Sequence, residues 1–161
     1  MAKKTFLGFP GQFLYIVGNE ACERFSYYGM RSILTVFMVN HLMLPEHRSK
    51  AVYHFFIMGC YFLPLLGGYL SDKYWGKYKT ILYLSLFYCL GHGVLAAFES
   101  EMGLYAALAL ISLGCGGNKP CVSSFVGDQF DRSNQHLVSK AYDLFYFTIN
   151  IGSVASTILI P

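Results

Sequence analysis

Charge is what this sequence has least of. Of its 161 residues only 13% are Asp, Glu, Lys or Arg against 55% hydrophobic, and the mean hydropathy is +0.42. That balance excludes an ordinary soluble domain and indicates an integral membrane protein. The net charge is only +3, and the basic residues stand mostly at the ends of apolar segments, so they mark topology and give no case for a nucleic-acid partner. Cysteine is unpatterned: Cys22, Cys60, Cys89, Cys115 and Cys121 are odd in number, lie within apolar segments and form no CxxC. Neither a zinc site nor a disulfide framework follows, which leaves packing roles. No nucleophile-and-base pairing or metal-ligand spacing appears, so the sequence offers no enzyme, metal site or cofactor. No cleavable leader is expected either, because Lys3 and Lys4 precede a long segment whose middle is charged.

What is present is five long apolar segments, at about 12–42, 51–70, 80–98, 103–126 and 138–160. Each is long enough to cross a bilayer, for which ~20 residues suffice. The first exceeds that length and is expected to tilt or project. The connections are short and polar, at 45–50, 71–79, 99–101 and 127–137, which makes successive helices antiparallel. The fold class is therefore all-α, membrane-integral, with about five transmembrane helices. Lys3, Lys4, Lys73, Lys77, Lys79, Arg132 and Lys140 fall on one side and only Arg48 and Lys50 on the other, so the N-terminus is expected in the cytoplasm and Pro161 outside.

The exception to the scarcity of charge is residues 20–31, where Glu20, Glu23, Arg24 and Arg31 interrupt the first apolar segment. At about 100° per residue, Glu23, Tyr27, Glu20, Arg31, Arg24 and Tyr28 share an arc of roughly 140°. The stripe extends about 16 Å along the axis, half of a ~30 Å hydrocarbon core. A charge at that depth costs about 2.5–3.5 kcal/mol even on lenient scales, so such groups face a bundle interior or wet cavity and serve a pathway. The bland alternative is an ion-pair cluster, Glu20 with Arg24 and Glu23 nearby, that only fixes helix orientation.

Three further places stand out. Gly114-Cys115-Gly116-Gly117-Asn118-Lys119-Pro120-Cys121 puts a lysine beside a proline within the fourth segment. Pro120 is expected to bend the helix, and Lys119 to serve as a counter-charge for Glu20 or Glu23 unless it snorkels to an interface. Asn150 in the fifth segment is a buried amide that must bond another helix or a ligand. His54 and Tyr61 are seven apart on one helical face; His54 is open between a satisfied core histidine and proton handling. The second segment ends in Gly67-Gly68 followed by Asp72, which can meet a neighbouring helix N-terminus or a cation; a plain membrane-surface turn is the alternative.

Residues 20–29, Glu-Ala-Cys-Glu-Arg-Phe-Ser-Tyr-Tyr-Gly, resemble the E-x-x-E-R-F-x-Y-Y-G signature of the proton-dependent oligopeptide transporter family. Residues 116–130 are similar to its second signature and 145–153 to its third, while Gly68, Asp72, Gly76 and Lys77 sit in a stretch that resembles the loop motif of the major facilitator superfamily. These motifs cover nearly the whole chain. The resemblance implies a proton-coupled symporter of di- and tripeptides, built from two six-helix halves rocking around a midplane site. With only five helices, the chain is expected to be the N-terminal part of such a protein, lacking its sixth helix and C-terminal half. Carried over, Glu20 and Glu23 are proton-titrating carboxylates, Arg24 and Lys119 share the peptide carboxylate, and Tyr27, Tyr28 and Tyr61 line the cavity. Arg31 adds positive potential, Asn150 holds the peptide amino end, and the proton is the coupling ion. A relative carrying nitrate or another small solute, or a non-transporting five-helix sensor, remains as an alternative.

The charge asymmetry makes the 99–101 connection external. In the full-length protein stripped of native cysteines, Ser100→Cys is expected to react with an impermeant thiol reagent on intact cells. Labelling only after permeabilisation reverses the topology.

Overall fold

The computed structural model describes residues 5–6 and 8–160; Lys3, Lys4 and Pro161 lie outside the described residues. Every expected span is a helix: α1 (Gly11–Val36), α2 (Glu46–Leu70), α3 (Gly76–Ala97), α4 (Glu101–Gly127) and α5 (Val138–Leu159). A two-residue hairpin precedes them, β1 (Thr5–Phe6) pairing antiparallel with β2 (Phe9–Pro10). Elements so short leave no periodicity to read in a sequence.

Two of the expected polar connections are in fact helical. Pro45, with φ −56°, pre-sets the backbone so that α2 begins at Glu46, and the Arg48 and Ser49 amides donate to its carbonyl at 3.0 and 2.9 Å. Glu46 in that first turn complements the exposed amides. No apolar periodicity marks these residues, so sequence assigned them to a loop. The 71–79 connection continues α2 as a π-helical turn, Ser71–Trp75, and reverses only at Gly76, whose φ of +73° favours glycine. A second π-helical turn, Phe37–His41, extends α1 close to its expected end.

The chain forms two compact units, 33–121 and 1–32 with 122–161. In the 33–121 unit α4 packs against both α2 and α3. A Cβ on Gly67 of α2 would collide with the Gly117 carbonyl of α4, and Gly116 faces Cys60 and Leu63. On the other side a Cβ on Gly114 would come within 2.6 Å of the Leu84 carbonyl, and one on Gly91 within 2.9 Å of the Ile111 amide. The order of these contacts makes α2 parallel and α3 antiparallel to α4, the up-and-down order that short connections imply. Lipid tails are as apolar as leucine, so helices in a bilayer cohere through close backbone approach and a few polar bonds. Cys121 Sγ donates one such bond to the Gly67 carbonyl at 3.5 Å. The close contact therefore falls on Gly67, while a Cβ on the motif glycine Gly68 would meet Pro120 only at 4.0 Å.

In the other unit, α1 and α5 run parallel. Gly152 of α5 lies against the turn of α1 that carries Arg24, with a Cβ there 2.8 Å from the Ala21 carbonyl, and Gly29 lies against Ser156 and Ile160. Phe13 is fully buried and meets Phe130 edge-on at 6.0 Å, while Tyr142 Oη donates to the Ser123 carbonyl at 3.1 Å.

One continuous helical run, Glu46–Ala97, is long and apolar enough to cross a membrane by length and composition. It comprises α2, the π-helical turn and α3. Read as one rod it would extend about 78 Å at ~1.5 Å per residue, more than twice a hydrocarbon core, so the reversal at Gly76 makes it two spans. Large apolar side chains such as Phe55, Phe62, Leu65 and Leu86 point outward, a surface suited to lipid. Cys60, Cys115 and Cys121 are buried as packing residues, but Cys22 and Cys89 are exposed and correct that expectation: an apolar segment does not reveal which of its faces lies against lipid.

Gly67→Ala is expected to destabilise the full-length protein by about 1–3 kcal/mol, because the new methyl meets backbone that cannot rotate away. Gly93→Ala, where a Cβ has nothing within 4 Å, should not lower stability and gains helix propensity. Thermal unfolding of the two variants in one detergent checks the contrast.

Candidate proton and substrate site

The α1 stripe converges on Arg24. Its Nε donates to Glu23 Oε2 at 2.7 Å and stands 3.0 Å from Glu20 Oε1, and its Nη2 also bonds Glu23 Oε2. The Glu20 contact is the i,i+4 pair that helical geometry dictates. All three side chains are at most 10% exposed. Arg24 also lies 5.6 Å from the centroid of the Tyr27 ring, which meets Tyr28 edge-on at 5.4 Å. Tyr27 is buried beneath this cluster, whereas Tyr28 and Arg31 are partly exposed. Both readings of the stripe start from this ion cluster, which exists as drawn from the spacing.

Within the same unit, Asn150 is exposed, and its Nδ2 donates to the Tyr146 carbonyl one turn back at 2.9 Å. The expectation of a buried amide is corrected: a local backbone bond satisfies its donor, and its face of α5 is open. Gly152, two residues on, brings this part of α5 against the Arg24 turn, so the first and third signatures are packed together.

Lys119 belongs to the 33–121 unit, where its Nζ lies 5.1 Å over the Tyr61 ring. Tyr61 and His54 are both exposed on α2, so His54 is not a core histidine; its ring stands edge-on to Tyr53 at 5.7 Å. Pro120 lies inside an unbroken α4. In the loop motif Asp72 is exposed and makes no hydrogen bond or ion pair among the described residues, while Lys77 is half-buried.

Sequence reasoning missed Asn118, which is 4% exposed and whose Nδ2 donates to Ser85 Oγ of α3 at 3.4 Å. Its signal was the one that picked out Asn150, an amide within an apolar run. It also missed a network at the N-terminal ends of α2 and α4: Arg48 pairs with Glu101, and Tyr105 Oη donates to Glu101 at 2.7 Å. Arg48 and Glu101 had been assigned to loops, so nothing linked them.

Replacing Arg24 with methionine leaves two buried carboxylates without the cation they share. The full-length protein is expected to lose about 3–5 kcal/mol of stability, and Glu20→Gln with Glu23→Gln in that background should restore part of it. Unfolding in detergent at neutral pH reads both.

A family model described as POT family matches residues 78–161. Solute carrier family 15 member 2 of Danio rerio is 46% identical over 162 residues, covering 95% of this chain and 22% of the relative. Peptide transporter family 1 of Drosophila melanogaster is 44% identical over 161 residues, again covering 95% and 22%. The chain thus spans less than a quarter of the length of these relatives. The crystal structure of a proton dependent oligopeptide (POT) family transporter superposes with a TM-score of 0.84 at 56% identity, over 90% of this chain and 33% of that one. With the family model matching more than half of its residues and its helices following those of a solved member, the chain belongs to the POT family.

Proposed function

We propose that this chain supplies the first five helices of the N-terminal half of a proton-coupled symporter of di- and tripeptides in the cell membrane, with the N-terminus in the cytoplasm. One observation carries the reading: Arg24 is clasped by two carboxylates on a buried stripe. The names of its relatives, peptide transporters and a proton dependent oligopeptide transporter, agree with it. The rest of the transporter, including its C-terminal half, completes the cavity.

The mechanism is electrostatic competition. With Glu20 and Glu23 ionised, the stripe formally balances against Arg24 and Arg31. A proton arriving on either glutamate leaves the stripe one positive charge in excess and frees guanidinium donors. A peptide carboxylate then restores the balance, accepting a two-bond fork from Arg24 and the mobile charge of Lys119. Proton and peptide binding are thereby linked, without covalent chemistry or a cofactor. Tyr28 and Tyr61 offer rings and hydroxyls to the peptide and Tyr27 braces Arg24, while Asn150 accepts from the peptide ammonium and His54 serves in proton transfer. Gly68, Asp72, Gly76 and Lys77 form the loop that changes conformation during the cycle.

In the full-length transporter, Glu23→Gln keeps the shape of a protonated carboxyl but cannot titrate, so proton-driven accumulation should vanish while downhill exchange survives. Arg24→Lys removes the fork and should weaken dipeptide binding about tenfold or more. A dipeptide amide, lacking the carboxylate, should bind wild type and Arg24→Lys equally weakly. A double-mutant cycle of Arg24→Lys with Lys119→Ala measures the shared role; additive losses, with the amide bound as tightly as the free acid, make the two cations structural.

A further inference from the structure

A groove of about 410 Å³ opens on the 33–121 unit, lined by Trp75, Tyr83, Leu86, Phe87 and Leu90. Its lining is wholly apolar, and none of these residues belongs to the proposed transport site. Trp75 and Tyr83 meet edge-on at 5.5 Å at its head. Tyr83, Leu86, Phe87 and Leu90 lie on one face of α3 by their spacing of three and four, and Lys79 stands one turn before Tyr83 on that same face. Lys79 is exposed and, among the described residues, makes no hydrogen bond or ion pair. Lys73, by contrast, is engaged with the Tyr69 hydroxyl at 2.8 Å.

We propose that this groove holds one acyl chain of an anionic phospholipid whose phosphate rests against Lys79. Three features favour this occupant. The groove is apolar along its length, and one helical turn before Tyr83, on the same face of α3, stands Lys79, exposed and unpaired among the described residues, the polarity of a lipid with a charged head. Trp75 marks the interfacial level, where its amphipathic ring sits among headgroups. The side chains lining the groove are large, whereas α4 meets α2 and α3 through glycines that let backbones touch. This face therefore suits a slender flexible chain better than another helix. In the topology proposed above, on which this inference rests, the groove lies in the cytoplasmic leaflet, where anionic lipids hold basic residues.

The test uses the full-length transporter in nanodiscs carrying a diazirine-tailed phosphatidylglycerol, or a phosphatidylcholine with the same tails, with labelled residues mapped by peptide mass spectrometry. The phosphatidylglycerol probe should label residues 83–90 in preference to the phosphatidylcholine probe. Lys79→Gln should weaken that labelling, read as the half-saturating phosphatidylglycerol fraction, about fivefold. Lys79→Arg should preserve it, and Leu86→Trp, which fills the groove, should suppress labelling by both probes. Equal labelling by the two probes in wild type, or preference unchanged in Lys79→Gln, overturns the proposal. So does a cross-link from a cysteine at Leu90 to another segment of the same chain, which makes that segment the occupant.

Discussion

Arg24 is 6% exposed on a helix of a membrane fold, and its charge is sustained there by Glu20 at 3.0 Å and by bonds to Glu23. Neither carboxylate alone would make the placement neutral with Arg31 on the same stripe. The full set of four charges formally balances, which is the condition for holding them away from water. The same balance makes the cluster responsive. A proton added to either carboxylate would remove one of the two negative charges held against the guanidinium in a low-dielectric surrounding, whereas a surface ion pair would be screened by solvent and register little.

Glycine contacts bring the motifs together in pairs, one pair within each unit. Gly152 presses α5 onto the turn that bears Arg24, joining the first and third signatures within one unit. Gly67 against Gly117 joins the loop motif to the second signature within the other. In each case the backbone approach does for position what a hydrophobic core does in water, because lipid supplies no net drive to bury leucine. The π-helical turn at Ser71–Trp75 follows directly after the Gly67 contact, so the loop motif starts from a fixed point on α4.

The helices were legible because five apolar runs of spanning length leave few other folds, and the α1 cluster was legible because i,i+4 geometry is set by the helix alone. What sequence could not give was facing. Asn150 was read as buried and lies exposed, and Cys22 and Cys89 were read as packing and face outward, since in a chain apolar all round no polar face marks the outside. The helical start at Glu46 was hidden for a different reason. A proline and an acidic first turn open the helix five residues before its apolar periodicity begins. The Arg48 and Glu101 pair depends on two such openings lying side by side, a tertiary fact with no local signature.

Lys119 illustrates how the packing around a charge limits what it can do. Gly117 is held against Gly67, Asn118 bonds Ser85, and Cys121 bonds the Gly67 carbonyl, so the backbone on both sides of Lys119 is tied to α2 and α3. Sliding α4 at this level would drive backbone into backbone. A change in the position of the Lys119 ammonium within this unit therefore comes from its own flexible four-carbon stem, which a compact cation with three rotatable donors permits. Arg24 has the opposite constraint: its fork is fixed by two carboxylates, and in the proposed mechanism what changes is whether they are charged. The different packing of α4 and α1 thus leaves the Lys119 ammonium a mobile charge within one unit and the Arg24 guanidinium a fixed one within the other, the two kinds of cation that the proposed mechanism calls on.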